Sequence, residues 1–505
     1  MRNLLALLVL LLPAYACTQA VDATQAVASI TEADFYQKTG VMAHDSMMGR
    51  NTPSPGLDMA SEWVGAEFEK YGLEPGGDDG GFLQRYAIQQ VGTDLEASGV
   101  TIGGGEALRF GENVGVMFGN PPDGEVTGGV VVLSGTENAE SALEGVELSG
   151  KHLILALPSG AAQGRMFQVL RPLMNAGTAS ITILSDASDA DWEEAMAEQR
   201  DRVQSRVGGG EGGGFNLTLL TARAGAVAPM LSGHGVNVSA LMRRGGQAMR
   251  MQEIDGLEMS VTVRSRVVEE TTAPNVVGIV EGTDLRDEYV VFSAHSDHVG
   301  YGSPDDEGDS IYNGADDNAS GTIGIVELAE AFAMMHPAPR RSLIFVAVSG
   351  EEKGLWGSQY FVENPPVPLE QMVADINIDM IGRNWPDTIV AIGMEHSDLG
   401  GTLTRVGEAH PELNMAPIDD RWPEQGFYSR SDHINWARRG VPILFFFNGT
   451  HEDRHGVNDE LDRMDSEKAA RITQLLFYLG LEIANADAAP QWNPESYDEI
   501  VTVGG

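Results

Sequence analysis

Two adjacent glutamates follow an apolar run in the stretch VAVSGEEKGLWGS, residues 346–358. Glu351 and Glu352 carry like charges that repel each other at the end of a segment expected to be buried. Bound divalent cations would remove this penalty, because one carboxylate could ligate metal while the other remained free as a base beside an activated water. The pair therefore predicts a metal site that includes a general base.

Other histidines and acids also follow apolar runs. They are His295 after residues 288–294, Asp379 after 372–378, His451 and His455 shortly after 441–447, and Asp316 and Asp317 before a predicted helix. Each alone would more often be a helix cap or a turn residue. Because five separate segments deliver such side chains, the pattern predicts one shared site.

The residue types favour zinc. Histidines combined with carboxylates match its ligands, and the single cysteine, Cys17, cannot build a thiolate site. One ion would not need this many acids, whereas two ions about 3.5–4 Å apart would. The sequence therefore predicts two Zn²⁺ ions per chain.

The elements that position these residues are strands alternating with helices. The predicted strands are 288–294, 342–348, 372–378, 388–393 and 441–447, and the predicted helices include 319–335, 398–409 and 466–485. Continuously apolar strands between helices predict an α/β fold with a mostly parallel sheet covered on both faces. In such sheets, chemistry collects beyond the carboxyl ends of the strands.

Residues 97–261 differ in texture, with short β-rich runs and a GGGEGGG segment that is typical of a flexible surface loop. They hold no cluster of metal-ligating residues. We expect an inserted β-rich domain there.

The N-terminus, MRNLLALLVLLLPAYAC, has a basic residue, a short apolar run and a small-x-small site, which predicts a signal peptide over residues 1–17. The chain is therefore expected to be exported. Two outcomes fit: Cys17 is lipidated and anchors the protein to a membrane, or the signal is cleaved and the protein is free in the periplasm or secreted. Residues 18–28 are expected to be a tether, and no later segment is apolar enough to cross a membrane.

The formal net charge of −42 excludes nucleic-acid binding through phosphate neutralisation. With one cysteine the chain can form no internal disulfide. Nothing in the sequence indicates the oligomeric state.

The chemical segments occur as HSD, DDNASG, EEKGLWGS, NIDM and HGVND, in that order. In this order and spacing the chain resembles the co-catalytic dizinc exopeptidases, specifically the aminopeptidases of metallopeptidase family 28 (clan MH). The resemblance implies a zinc-exopeptidase domain over 29–96 and 262–486, an insert at 97–261 that resembles a protease-associated domain, and a C-terminal tail over 487–505.

The resemblance implies a role for each matching residue. His295 and Asp379 would bind one zinc, Glu352 and His455 the other, and Asp317 would bridge both ions. Glu351 would be the general base. By the same motif count, Asp316 would be a loop residue, although the two aspartates could be exchanged.

Other residues are assigned around these ligands. Asp297 would accept a hydrogen bond from the His295 ring, and His433 would support the site without ligating metal. Tyr428, three residues before Ser431, would polarise the substrate carbonyl. His451 competes with His455, which is preferred because Asp459 follows it at the family's spacing, and His298 is expected to be a bystander.

The implied function is removal of N-terminal residues from peptide substrates by metal-activated water. The alternatives are a glutamate-carboxypeptidase-like enzyme or a dipeptidase on the same scaffold, a one-zinc glutaminyl cyclase, and a receptor-like binding protein without activity. Complete retention of the two-metal residue set argues against the last two.

Overall fold

The computed structural model describes residues 20–117, 121–157, 169–173, 176–208 and 218–501. The predicted signal peptide, Cys17 and most of the GGGEGGG segment lie outside the described residues. The chain divides into two compact units, one of residues 1–86 and 272–505 and the other of residues 87–271. Within the described part of the chain, no helix has the length and apolar character needed to cross a membrane.

The helices lie mainly in the first unit. They are α1 (Ala23–Val27), α2 (Glu32–Met42), α3 (Pro55–Tyr71), α4 (Ala139–Leu143), α5 (Asp189–Asp201), α6 (Ala224–Ser232), α7 (Val238–Met242), α8 (Gly321–Met334), α9 (Trp356–Glu363), α10 (Leu399–Ala409), α11 (His433–Arg438), α12 (Ser466–Asn485) and α13 (Pro494–Ile500). The predicted helices 319–335, 398–409 and 466–485 correspond to α8, α10 and α12.

The strands are β1 (Glu74–Pro75), β2 (Leu83–Thr93), β3 (Gly99–Ile102), β4 (Leu108–Arg109), β5 (Val114–Val116), β6 (Gly124–Ser134), β7 (His152–Ala156), β8 (Ser180–Ser185), β9 (Gln204–Val207), β10 (Thr218–Arg223), β11 (Arg250–Val263), β12 (Ser265–Val280), β13 (Leu285–His295), β14 (Gly300–Tyr301), β15 (Ile311–Tyr312), β16 (Arg341–Val348), β17 (Met372–Asp379), β18 (Thr388–Ile392), β19 (Ala416–Ile418) and β20 (Ile443–Phe447).

The sheet of the first unit has the order β19-β18-β20-β17-β13-β16-β12. Its centre is parallel: β13 pairs in parallel with β16 and β17, and β17 with β20. Antiparallel partners flank this centre, with β12 against β16 and β18 against β20. The predicted α/β fold is confirmed.

Apolar side chains bury both faces of this sheet. Along β13, Val290, Phe292 and Ala294 belong to one core cluster, and Val291 belongs to another. Residues of α1, α2, α3, α8, α10 and α12 contribute to the first cluster, and residues of α9 and α11 contribute to the second. Because successive strand residues point to opposite faces, continuous apolar runs are what a doubly covered sheet requires.

The register brings the carboxyl ends of the central strands to one edge. His295 ends β13 opposite Val348 of β16, and Asp379 ends β17 opposite Phe447 of β20. The segments after these four strands therefore meet beside one another.

The second unit contains an eight-stranded sheet of order β4-β3-β11-β6-β7-β8-β10-β5. Strands β6, β7, β8 and β10 are parallel, and the described helices α4 to α7 lie in the same unit. The insert is therefore mixed α/β rather than only β-rich. Its resemblance to a protease-associated domain stays a prediction.

The described structure differs from the predicted domain limits at three points. The second unit begins at residue 87, within β2, and ends at residue 271, within β12, rather than at 97 and 261. The expected tether contains α1, whose Ala26 and Val27 are buried in the core. The expected C-terminal tail contains α13, and Trp492 beside it packs against the second core cluster.

Candidate metal centre

Four of the five predicted segments carry His295, Asp379, Glu351 with Glu352, and Asp317. His295 and Asp379 are the last residues of their strands. Glu351 and Glu352 begin a short 3₁₀ helix after β16, where Gly350 takes a left-handed φ of 74°. Asp317 lies in an irregular turn directly before α8.

One group consists of His295, Asp317 and Asp379, all buried. The His295 Nε2 atom lies 3.5 Å from Asp317 Oδ1 and 3.4 Å from Asp379 Oδ1. Neither carboxylate oxygen has a hydrogen-bond partner in the described part of the chain.

A second group shares Asp317 but uses its other oxygen. The His455 Nε2 atom lies 3.2 Å from Asp317 Oδ2 and 3.0 Å from Glu352 Oε1. His298 also belongs to this group, with its Nδ1 atom 3.2 Å from Glu352 Oε1. His298 is thus placed closer to the candidate ligands than the bystander role implies, and its role stays a prediction.

These separations are compatible with neighbouring ligands of a zinc ion. Ligand atoms about 2.0–2.1 Å from one zinc lie about 3.3 Å from each other, and the pairs above span 3.0–3.5 Å. The two oxygens of Asp317 belong to different groups, as a bridging carboxylate requires. Orphaned buried oxygens at cation-binding distances are otherwise costly to bury.

The site is electrostatically prepared for cations. Hydrogen bonds to Asp317 and Glu352 raise the pKa of His455 to about 9. Although burial acts in the opposite direction, the nearby histidines hold the pKa of Glu352 down at about 2. The histidines neutralise part of this acidic cluster, and divalent ions would do so more completely.

The sequence comparison with known families decides what this geometry belongs to. Residues 275–480 match Peptidase family M28. These residues form a peptidase family M28 domain. They include every ligand position of the two groups, from His295 to His455.

Two individual proteins that are similar to this chain are named as aminopeptidases. Aminopeptidase YwaD of Bacillus subtilis (strain 168) is 24% identical over 370 residues, which are 70% of this chain and 76% of that protein. A probable leucine aminopeptidase of Arthroderma benhamiae is 28% identical over 222 residues, 42% of this chain and 58% of its own length. The family and these relatives support a zinc-dependent aminopeptidase, a hydrolase of the metallo-exopeptidase class.

A solved aminopeptidase from Aneurinibacillus sp. strain AM-1 is also similar. It is 16% identical, with a TM-score of 0.49 and coverage of 93% of this chain and 97% of that one.

Within the M28 domain, Asp316 and Asp317 have separate environments. Asp316 Oδ1 accepts a hydrogen bond from the Gly382 backbone N–H at 2.6 Å, and its Oδ2 lies 3.3 Å from His451 Nε2. His451 therefore faces Asp316, whereas His455 faces Asp317. The Asp459 carboxylate accepts the backbone N–H groups of both aspartates at 3.0 Å, which fixes the turn. Ligation by Asp317 and His455 stays a prediction that this geometry favours.

Asp297 orients His295 differently from the prediction. The His295 Nδ1 atom lies 3.2 Å from the Asp297 backbone carbonyl, whereas the carboxylate is 3.7 Å away. The strand ends at His295, so residue 297 is no longer on an extended chain with its side chain beside the ring. The carboxylate instead accepts the Glu351 backbone N–H at 3.2 Å and the Thr52 hydroxyl at 2.9 Å.

Glu351 belongs to neither ligand group of the M28 domain among the described residues. It is partly exposed. Burial raises the pKa of its carboxyl well above the ordinary value, His295 opposes this, and the acids Asp432, Asp379 and Glu352 add to the rise. An unligated carboxyl with elevated proton affinity, beside the ligands, has the properties of a general base.

The Tyr428 loop is tied to the same edge. The Ser431 hydroxyl donates to Asp379 Oδ2 at 3.1 Å, and the His433 ring donates through Nε2 to the Tyr428 carbonyl at 2.8 Å. His433 thus supports the backbone of Tyr428 rather than a ligand. The Tyr428 hydroxyl has no hydrogen-bond partner within the described ranges, and burial raises its pKa.

Sequence reasoning missed Arg454, whose Nε donates to Asp317 Oδ2 at 2.9 Å. The only sequence signal for Arg454 is its position next to His455. In the structure, His455 has a left-handed φ of 55°. Arg383, which closely follows Asp379 in the sequence, forms an ion pair with Asp453 at 2.7 Å.

Proposed function

We propose that the chain is an aminopeptidase that binds two zinc ions and removes N-terminal residues from peptides. The observation that carries this proposal is the division of Asp317, whose two oxygens face two separate groups of histidine and carboxylate ligands. His295 and Asp379 would hold one ion, and Glu352 and His455 the other. His298 is placed to assist at the second ion or to orient Glu352.

The bound ions would supply Lewis acidity and lower the pKa of water. Glu351 is placed to accept the proton of the attacking water and to return it to the leaving amine. The hydrogen bond from its backbone N–H to the Asp297 carboxylate holds the backbone from which the Glu351 side chain extends.

The Tyr428 hydroxyl is the proposed donor to the carbonyl oxygen of the substrate. Its lack of a protein partner in the described part of the chain leaves the O–H free for this bond. His433, by holding the Tyr428 carbonyl, sets the position of the ring. A donor aimed at developing negative charge lowers the barrier most when it is held in place beforehand.

Charge favours a substrate amine over a substrate carboxylate. The site collects Asp317, Glu351, Glu352 and Asp379, whose four negative charges match two dications. Arg383 is paired with Asp453. Arg421 and Arg430 lie over the rings of Trp385 and Phe427.

A carboxypeptidase is the second candidate, and Arg454 is the observation that favours it. Its side chain keeps 31% exposure while it contacts Asp317. A guanidinium so placed could receive a substrate carboxylate.

Blocked peptides separate the two directions. One good substrate is prepared in free, N-acetylated and C-amidated forms and incubated with the purified zinc-loaded protein. We expect acetylation to abolish cleavage and amidation to be tolerated. Cleavage of the acetylated peptide together with loss of cleavage after amidation would replace the aminopeptidase proposal with the carboxypeptidase.

We also propose that the chain is exported, on the basis of its N-terminal sequence alone. Mass spectrometry of the protein recovered from its host would show a mature N-terminus at or near Cys17, with or without lipid. A full-length protein that retains Met1 would refute this.

A further inference from the structure

A segment far from the ligands in sequence reaches the metal centre. Residues 48–52, here called the strap, comprise the end of the short 3₁₀ segment Asp45–Arg50 and the two residues after it, shortly before α3. Arg50 within it is fully buried. The carboxylates of Asp459, Asp297, Asp317 and Glu352 favour its charge from a distance, but none forms an ion pair with it in the described part of the chain. A buried cation without an ion-pair partner needs another reason to be there.

The guanidinium of Arg50 is bound entirely by backbone carbonyls. Its Nε donates to the Ser296 carbonyl at 2.8 Å, and its Nη2 donates to the Gly314 carbonyl at 2.9 Å. Its Nη1 donates to the carbonyls of Asn313 and Met42, both at 2.7 Å.

These carbonyls belong to the loops that carry the predicted ligands. Ser296 lies between His295 and Asp297, and Gly314 lies three residues before Asp317. The return contact runs from the His298 N–H to the Arg50 carbonyl at 3.2 Å. One planar side chain thus fastens the His295 loop to the Asp317 loop.

Thr52 connects the strap to the third loop. Its hydroxyl donates to Asp297 Oδ2 at 2.9 Å and accepts the Gly350 N–H at 3.1 Å. The other oxygen of Asp297 accepts the Glu351 N–H at 3.2 Å. The loop with the proposed base and the ligand Glu352 is therefore anchored through Thr52 and Asp297.

The strap has an unusual backbone conformation that its close contacts require. Met48, Gly49 and Arg50 have consecutive left-handed φ values of 52°, 63° and 49°. A Cβ on Gly49 would lie 2.4 Å from the Gly300 carbonyl oxygen and 2.6 Å from that of Tyr312. Left-handed non-glycine residues persist only where surrounding contacts hold them.

We propose that Arg50 and Thr52 are positioning residues of the metal centre, which act on zinc and on Glu351 through the three loops they join. This inference rests on the proposed zinc function. Arg50 acts through its hydrogen-bonding fork rather than its charge, because an extra positive charge beside the site opposes a dication. A lysine, with one ammonium on a flexible stem, cannot reproduce four bonds to three separate segments.

The test measures zinc binding directly. The full-length protein is stripped of metal, and its zinc affinity is determined by competition with a chromophoric chelator. The variants are Arg50→Met and Arg50→Lys, and Thr52→Val and Thr52→Ser. The matched control is Arg341→Met, since Arg341 is also buried and donates to the backbone carbonyls of Ile483 and Ala486, but lies at the start of β16, the strand end opposite to the ligands.

We expect both Arg50 variants to bind zinc about 10- to 100-fold more weakly, the range for residues that orient metal ligands. Arg341→Met should melt earlier but bind zinc like the wild type. Thr52→Val should lower kcat about 10- to 100-fold with little change in KM, and Thr52→Ser, which keeps the hydroxyl, should restore it.

Three results would overturn the inference. Wild-type zinc affinity in Arg50→Lys would show that charge alone suffices, and equal zinc loss in Arg341→Met would show a general stability effect. Equal kcat values for Thr52→Val and Thr52→Ser would remove the role of Thr52. If Arg50→Met fails to fold, Arg50→Lys and the Thr52 pair decide. If the wild type itself binds no zinc, the proposed function fails, and that outcome is distinct from wild-type zinc affinity in the Arg50 variants.

Discussion

The division of Asp317 between two ligand groups gives the sharpest test of the site. Asp317→Asn keeps one carbonyl oxygen and replaces the other oxygen with an amide nitrogen that carries two hydrogens and offers no lone pair. Whichever group receives the nitrogen loses a donor. The group of His295 and Asp379 falls from three candidate donors to two, or the group of Glu352 and His455 falls from four to three.

The effect of residues that orient metal ligands gives a lower bound for the expected loss of zinc affinity. Residues that merely orient a ligand change metal affinity by about 10- to 100-fold. Removing a ligand, together with one of the four negative charges, should cost more than about 100-fold at one ion. At a free zinc concentration that just saturates the wild type, Asp317→Asn should hold one zinc per chain where the wild type holds two.

The control is the neighbouring Asp316→Asn. The new side-chain amide could keep its oxygen on the Gly382 N–H while its nitrogen faced His451, so zinc content should not change. Metal is counted by plasma mass spectrometry after desalting, with circular dichroism to confirm folding. Loss of zinc from Asp316→Asn but not from Asp317→Asn would show that the roles of the two aspartates are exchanged and would refute the bridging assignment.

Three further predictions follow from the site and the core. Glu351→Gln should retain zinc and lose at least about 100-fold in kcat, since the base is removed and the ligands remain; a smaller loss in steady-state assays would reject Glu351 as the base. Tyr428→Phe should lower kcat about 100- to 1,000-fold at unchanged zinc content, and wild-type rates would make Tyr428 structural. Burial raises the pKa of Glu327 to about 7 from 4.5 despite its 2.6 Å ion pair with Lys38. Because the folded state favours protonated Glu327, its protonation contributes to the free energy of unfolding in full below pH 4.5. This contribution, roughly 3 kcal/mol in all, is lost as pH rises to 7. Chemical denaturation should show this slope in the wild type and not in Glu327→Gln, and identical slopes would contradict it.

The parts of the site that the sequence predicts are those that sheet geometry determines. His295 and Asp379 end adjacent parallel strands, and parallel strands bring their carboxyl ends to one edge. The same rule located Glu352, which follows the strand on the other side of β13. An apolar run followed by a liganding residue was sufficient for these positions.

The missed contacts lie where the chain leaves regular structure. Asp297 is predicted to accept a hydrogen bond from the His295 ring, but the strand stops at His295 and the Asp297 carboxylate accepts one from the Thr52 hydroxyl instead. Arg50 lies 246 residues from its partner Ser296, in a turn without periodicity. No local pattern indicates that such a side chain is buried among carbonyls, because its partners are set by tertiary packing.

A count of the charged residues in the motifs leaves out Arg454 and therefore describes the electrostatics of the site incompletely. Its neighbour His455 carries the motif, so the arginine itself attracts no attention in sequence. In the structure its Nε and the His455 Nε2 approach the same oxygen, Asp317 Oδ2. An ion held by Glu352 and His455 would therefore share that oxygen with a guanidinium. Arg454 is then paired with Asp317, whereas Glu351 forms no ion pair with a basic side chain in the described part of the chain. The balance at the mouth of the site still favours an incoming ammonium group.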